Sequence, residues 1–321
     1  MPWWKFWFRR ISVVAAAIVV TSAPVWAQSD WAQSEPSRVA STTAVTKPVP
    51  ALQPLAVQFD IASANTGRSY RIYVSKPVVP APAAGYAVLY VLDADTAFPT
   101  AQSQAVLASL LDGRKPLLVV GVGYPDVMAT MNLRTRDLTP YVPNAETAGK
   151  VSAKPEEWGG ADAFHEFMLE ELRPIIQSMV AVDKSDQSLM GYSLGGLFAL
   201  HVLLSSPESY GNYVIGSPAV WWNGKQVLQD LPFFTEKVED GKVSPRVLIT
   251  SAEWEQSAGS RSLPENYRMV DNAREVAEAL RKIKGTNGYR VDYALFANET
   301  HNSGIPASTS RGVAFVAGVA E

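Results

Sequence analysis

The feature that most constrains this chain is a series of short apolar runs alternating with stretches of helical period. The runs are "AVQFDIA" (56–62), "SYRIYVS" (69–75), "AVLYVLD" (87–93), "PLLVVGVG" (116–123), "QSLMGYS" (187–193), "NYVIGS" (212–217), "RVLITSAE" (246–253) and "YRVDYALF" (289–296). Each is short and rich in Val, Ile, Leu or Tyr, as strands are when most of them are covered on both faces. Between them, 162–180 places Phe164, Phe167, Met168, Leu172, Ile175 and Met179 near helical spacing. Residues 269–283 do the same with Val270, Ala273, Val276, Ala277, Leu280 and Ile283. Pro174 is expected to kink or divide the first of these helices. Strands alternating with helices imply an α/β fold with a mostly parallel central sheet, helices on both faces and a leading antiparallel hairpin at one edge.

The ends and gaps of this pattern define the organisation. Residues 1–27 combine a basic start (Lys5, Arg9, Arg10), an apolar run from Ile11 to Val20 and small residues at Val25 and Ala27. That run is about half of the roughly 20 residues that span a bilayer, so the segment reads as a cleavable signal peptide and not as a stable membrane anchor. The mature protein is therefore expected in the periplasm or outside the cell. Residues 28–54 are rich in Ser, Thr, Ala, Gln and Pro without an apolar period, which predicts a disordered or extended arm. The catalytic-size domain is expected over 55–321. Within it, 124–160 carries many Pro, Thr, Asn and Gly and no clear period, the mark of a lid or substrate-binding loop.

Composition removes several functions. The formal charge is −3 before the cationic leader is lost, so nucleic acid is not expected as a partner. The chain has no cysteine, which excludes a disulfide framework, thiol catalysis and Cys-ligated metal.

The chemistry gathers around "GYSLGG" (191–196). A serine hydroxyl needs a base to take its proton and must project clear of the backbone. A strand-to-helix elbow achieves that projection, with glycines such as Gly191 and Gly195 relieving close backbone contacts. Ser193 follows a strand-like run and opens the helix-like "LGGLFALHVLLSS", so it is the expected nucleophile. An elbow of this kind demands a histidine after a late strand. Of the three histidines, His165 precedes the serine within a helical pattern. His201 lies on the nucleophile's own helix, roughly 12 Å along its axis at the usual rise. His301, in "FANETHNSG", has the required order and setting, and is the expected base. The acid is expected in "EWEQ", with Glu255 favoured, Glu253 the alternative and a Ser-His dyad open; Glu299 reads as a loop charge. Oxyanion donors are expected from the Leu194 N–H and from Asp93 or Ala94.

These residues resemble a known group. "YVLDADTAF", "RTRDLTP", "GGADAFHEFMLEELRPII", "GYSLGGLFAL", "GSPAVWWN" and "ETHNS" occur in the order seen in the "putative esterase" family of α/β-hydrolases. That family includes the esterase D-like enzymes, and the likeness over about 55–318 is in particular to periplasmic siderophore esterases that open the trilactone of enterobactin and salmochelin. The resemblance implies an α/β-hydrolase fold without a large cap domain, a serine esterase mechanism, no metal and no organic cofactor. It implies a small-molecule ester substrate, here a siderophore-type or similar aromatic ester. Because fold does not fix function, an acyltransferase, a generic short-chain acyl esterase and a non-catalytic binding protein remain alternatives. Tyr192, Trp221, Trp222 and Arg134 are the expected substrate contacts, flat aromatics for an aromatic ring and a cation for an anionic one; one of the two tryptophans reads equally as core, Arg134 equally as a partner of Asp137 or as loop packing, and Arg136 is a weaker candidate.

Overall fold

The structure is a computed structural model that describes residues 55–126, 130–150, 158–256, 263–286 and 288–318. The expected signal peptide and arm lie outside the described residues. The strands are β1 (Ala56–Ala62), β2 (Ser69–Ser75), β3 (Tyr86–Leu92), β4 (Leu117–Gly123), β5 (Val182–Tyr192), β6 (Asn212–Gly216), β7 (Arg246–Ala252) and β8 (Arg290–Phe296). They form a single sheet in the order β1-β2-β4-β3-β5-β6-β7-β8. β1 and β2 make the antiparallel hairpin at one edge, β2 joins β4 antiparallel, and every later pairing is parallel. The expected architecture is the one observed.

The alternating burial of the central strands explains why they read as unbroken apolar runs. On β3, Val88, Tyr90 and Leu92 face one core while Ala87, Leu89 and Val91 face another. The first core is closed by α6 (Leu194–Ser205), α8 (Met269–Arg281), α7 (Leu231–Glu239) and the helical run from α4 (Ala161–Glu166) to α5 (Arg173–Met179). The second is closed by α1 (Ala94–Leu110) packed on α9 (Gly304–Ala317), through Ala97, Phe98, Ala101, Ala105, Val313 and Val316. Small alanines on α1 let that helix approach the sheet closely, which is why it carries no strong apolar stripe.

The 161–179 helix is divided next to Pro174, as expected. It widens into a π-helical stretch at Phe167–Leu172, and Pro174 sits in the first turn of α5. A wider turn just before the proline accommodates its missing N–H and its ring. The interval 124–160, expected as a lid or substrate-binding loop, contains α2 (Thr130–Asp137) and the single turn α3 (Ala145–Ala148), and Thr130 and Arg134 of α2 line the cavity at Ser193. α2 lacks an apolar period because polar tertiary bonds hold it: Asp137 is buried and accepts the hydroxyls of Tyr70 at 3.0 Å and Tyr124 at 3.1 Å. Among the described residues no helix is long and apolar enough to cross a membrane.

Candidate active site

At the C-terminal end of β5 the chain turns into α6 at Ser193, whose φ of 60° and ψ of −115° lie outside the regions open to most L-residues. The surroundings enforce this geometry. The Ser193 N–H donates to the Gly216 carbonyl at 2.9 Å, and the Ser193 carbonyl accepts from Leu197 at 2.9 Å and Ala219 at 3.1 Å. A Cβ on Gly191 would lie 2.1 Å from the Gly195 carbonyl oxygen, so only glycine fits there. The elbow thus projects Ser193 Oγ beyond the sheet, and the loops after β7 and β8 meet it.

Ser193 Oγ lies 3.0 Å from Nε2 of His301, and Nδ1 of His301 lies 2.5 Å from Oε1 of Glu255. A carboxylate can only accept, so Nδ1 carries the proton and Nε2 is left as the acceptor for the serine hydroxyl. Glu255 is wholly buried but not unsatisfied. Its Oε1 also accepts from the Tyr192 hydroxyl at 3.1 Å, and its Oε2 from the Ser217 hydroxyl and the Ala252 N–H, each at 3.1 Å. Four donors around one carboxylate make its charge tolerable away from water. The arrangement can move a proton from Ser193 to His301 while Glu255 steadies the imidazolium.

The other expected residues fall as follows. Glu253 is exposed and accepts the Asn298 N–H at 2.8 Å, while the Trp254 N–H donates to the Glu299 carbonyl at 2.9 Å. Glu253 therefore staples the His301 loop instead of reaching the imidazole, which corrects its place as alternative acid. Tyr192 lines the pocket, but its hydroxyl is committed to Glu255 and its ring packs 5.1 Å from the imidazole. Burial, with Glu255 adding, pushes its phenol well above the ordinary value, so it serves as a neutral donor and not as a free substrate contact. Trp222 is 1% exposed, tilted against Trp158 with ring centres 4.7 Å apart, and donates to the Tyr141 carbonyl at 3.3 Å. It is a core residue, and its expected substrate contact is corrected. Trp221 is half-buried and stacks on Tyr267 at 4.0 Å, with the Lys150 ammonium 6.0 Å from its ring centre.

Leu194 and Ala94 are the first residues of α6 and α1, so helix geometry leaves their N–H groups without an intrahelical acceptor. Asp93, in the left-handed region at φ 51° and ψ 47°, joins β3 to α1. Its carboxylate takes a bidentate pair from Arg134, Nε to Oδ1 and Nη2 to Oδ2, each at 2.7 Å. Sequence reasoning missed this pair, because 41 residues separate its members and no spacing announces it. Ser193, His301, Asp93 and Arg134 share a cavity of about 260 Å³ with Leu92, Met190 and Ile305.

His165 and His201 do not line this cavity. His201 bonds Asp162 at 2.8 Å; His165 is buried, and desolvation lowers its pKa to about 4. Among the described residues no group of His, Asp and Glu is placed to hold a metal ion.

The family described as "Putative esterase" matches residues 63–302. The ferri-bacillibactin esterase BesA of Bacillus subtilis (strain 168) is 36% identical over 267 residues, covering 79% of this chain and 87% of the relative. The siderophore triacetylfusarinine C esterase of Aspergillus fumigatus is 30% identical over 298 residues, covering 83% and 94%. The solved structure of the BES protein from Bacillus cereus superposes with a TM-score of 0.73 at 31% identity, covering 85% of this chain and 100% of that one. This chain belongs to the "Putative esterase" family of α/β-hydrolases and is an ester hydrolase.

Proposed function

We propose that this protein is an exported serine esterase that hydrolyses the carboxylic ester bonds of siderophore-type substrates. The observation that carries the mechanism is the continuous hydrogen-bonded line Glu255–His301–Ser193 opening into one cavity. Ser193 Oγ attacks the ester carbonyl carbon and His301 Nε2 takes the hydroxyl proton. The N–H of Leu194 and that of Asp93 or Ala94 bind the tetrahedral oxyanion. His301 then gives the proton to the leaving alkoxide oxygen, the acyl group stays on Ser193, and a water activated by His301 releases it as the acid.

Two things support the substrate class. Relatives similar over most of their length are named for siderophore esters. In this chain the loop after β6, which holds the Ser193 carbonyl through the Ala219 N–H, also carries Trp221, which stacks on Tyr267 and has Lys150, ion-paired with Glu146, beside it. Aromatic faces next to a cation suit an aromatic, anionic ligand such as a catecholate. Export rests on the basic, apolar and small-residue pattern of 1–27.

The test is a mass-spectrometric assay of the mature protein against a catecholate trilactone, its ferric complex and p-nitrophenyl esters, with and without an alcohol acceptor. Hydrolysed linear products from the trilactone at a kcat/KM well above that for the simple esters are expected. Turnover of the simple esters alone, or acyl transfer to the acceptor, would overturn the substrate assignment.

A further inference from the structure

Arg134 lines the cavity of Ser193, and a cation there invites a role in gripping an anionic substrate. Its geometry points elsewhere. Nε and Nη2, the pair of nitrogens that forms one fork of a guanidinium, are both spent on Asp93 at 2.7 Å. Asp93 is itself unusual: a non-glycine residue in the left-handed region at the joint between β3 and α1. Its carbonyl is held by the Thr96 N–H at 3.0 Å, the Ala97 N–H at 3.1 Å and the Thr96 hydroxyl at 3.0 Å, which fixes one side of that turn. The Arg134 fork fixes the other.

The Asp93 carboxylate also lies against the nucleophile elbow. A Cβ on Gly195, two residues after Ser193, would sit 3.2 Å from Asp93 Oδ2. A bare carboxylate so close to the start of α6 would oppose the negative charge that develops on the oxyanion, in a site where water screens little. Paired with Arg134, it does not. Arg134 in turn is held in place, since α2 is anchored a turn further on by buried Asp137 bonding Tyr70 and Tyr124. Burial alone would lower the guanidinium's pKa, but Asp93 beside it outweighs burial and raises it.

Resting on the esterase reading above, we propose that Arg134 is a positioning residue of the oxyanion site and not a substrate grip. With Asp93 it fixes the left-handed turn that presents the 93–94 backbone N–H groups, and it cancels the carboxylate's charge beside the tetrahedral intermediate. Arg134 therefore serves every ester the enzyme accepts, whatever the charge of the acyl group.

The experiment is steady-state kinetics on a neutral ester, p-nitrophenyl butyrate, and an anionic one, p-nitrophenyl hemisuccinate. The proteins are wild type, Ser193→Ala, Arg134→Gln, Arg134→Lys and the double variant Asp93→Asn/Arg134→Gln. Arg134→Gln is expected to lower kcat about 100-fold on both esters, as loss of an oxyanion donor does, with KM within about threefold. The double variant is expected to recover at least about tenfold over Arg134→Gln, because Asn tolerates the left-handed turn and brings no charge. Arg134→Lys keeps the charge without the fork and is expected to lose about tenfold in kcat, equally on both esters; it carries the comparison should Arg134→Gln fail to fold by circular dichroism. A loss confined to KM of the anionic ester, or a double variant no better than Arg134→Gln, would overturn the positioning role. Retained activity in Ser193→Ala would instead overturn the esterase reading itself.

Discussion

The Glu255 carboxylate lies 2.5 Å from Nδ1 of His301 and is entirely shielded from solvent, whereas Glu253, two residues earlier, faces solvent and holds the Asn298 N–H. The two acids have opposite consequences when altered. Glu255→Gln keeps shape but removes the charge that selects the imidazole tautomer, and kcat is expected to fall by about 10³- to 10⁴-fold. Glu253→Gln still offers an oxygen to Asn298, and a change under about threefold in kcat is expected. Parallel kinetics on the two variants check this; small and equal losses would mean a Ser-His dyad.

Trp221 and Trp222 separate in the same way. Trp222→Ala removes a fully buried side chain from the core and is expected to destabilise the protein by about 3–5 kcal/mol. Trp221→Ala takes a half-buried ring off the edge of that core and is expected to cost less, about 1–2 kcal/mol, while raising KM for a catecholate trilactone severalfold and leaving that for p-nitrophenyl butyrate hardly changed. Denaturant titrations and kinetics on both variants test the division.

Asp137 makes stability depend on pH in an unusual direction. Burial, opposed by Arg68 and by the Tyr70 and Tyr124 hydroxyls, pushes its carboxyl up to about 6 in the folded protein. An unfolded aspartate titrates near 3.9, so between about pH 4 and 6 the native state holds a proton that the unfolded state has released. Stability from this group is then full below about pH 4 and falls as pH rises to about 6, by about 3 kcal/mol. Relative to wild type, Asp137→Asn is expected to gain that amount between pH 4 and 7 in urea unfolding. A constant difference across that range would contradict it.

Gly191→Ala tests the elbow. Its Cβ would meet the Gly195 carbonyl oxygen at 2.1 Å, and neither backbone can yield without moving Ser193. Loss of more than about 3 kcal/mol, or of soluble protein altogether, is expected in thermal unfolding compared with wild type.

How much of this was legible in the sequence follows from what each residue depends on. Ser193 and His301 are set by local chain geometry and by strand order, both of which leave patterns in the sequence. The choice between Glu255 and Glu253 depends on the 3-10 turn Glu253–Glu255, which rotates the two side chains roughly 240° apart about its axis. No apolar period reports that rotation. α2 was hidden because ion pairs and buried hydroxyls hold it in place of an apolar stripe, and the Asp93–Arg134 pair was hidden because it joins distant segments. The Trp221–Trp222 repeat told only that two large rings were present; packing on Trp158 and on Tyr267 puts Trp222 inside the core and Trp221 at its half-buried edge.

The most direct test of the mechanism is intact-mass and peptide mapping after reaction with a fluorophosphonate. One adduct, on the peptide containing Ser193, is predicted for the wild type, with none in Ser193→Ala and a rate reduced by at least about 100-fold in His301→Ala. An ester-hydrolysing wild type that takes no adduct, or takes it at a residue other than Ser193, would contradict the mechanism.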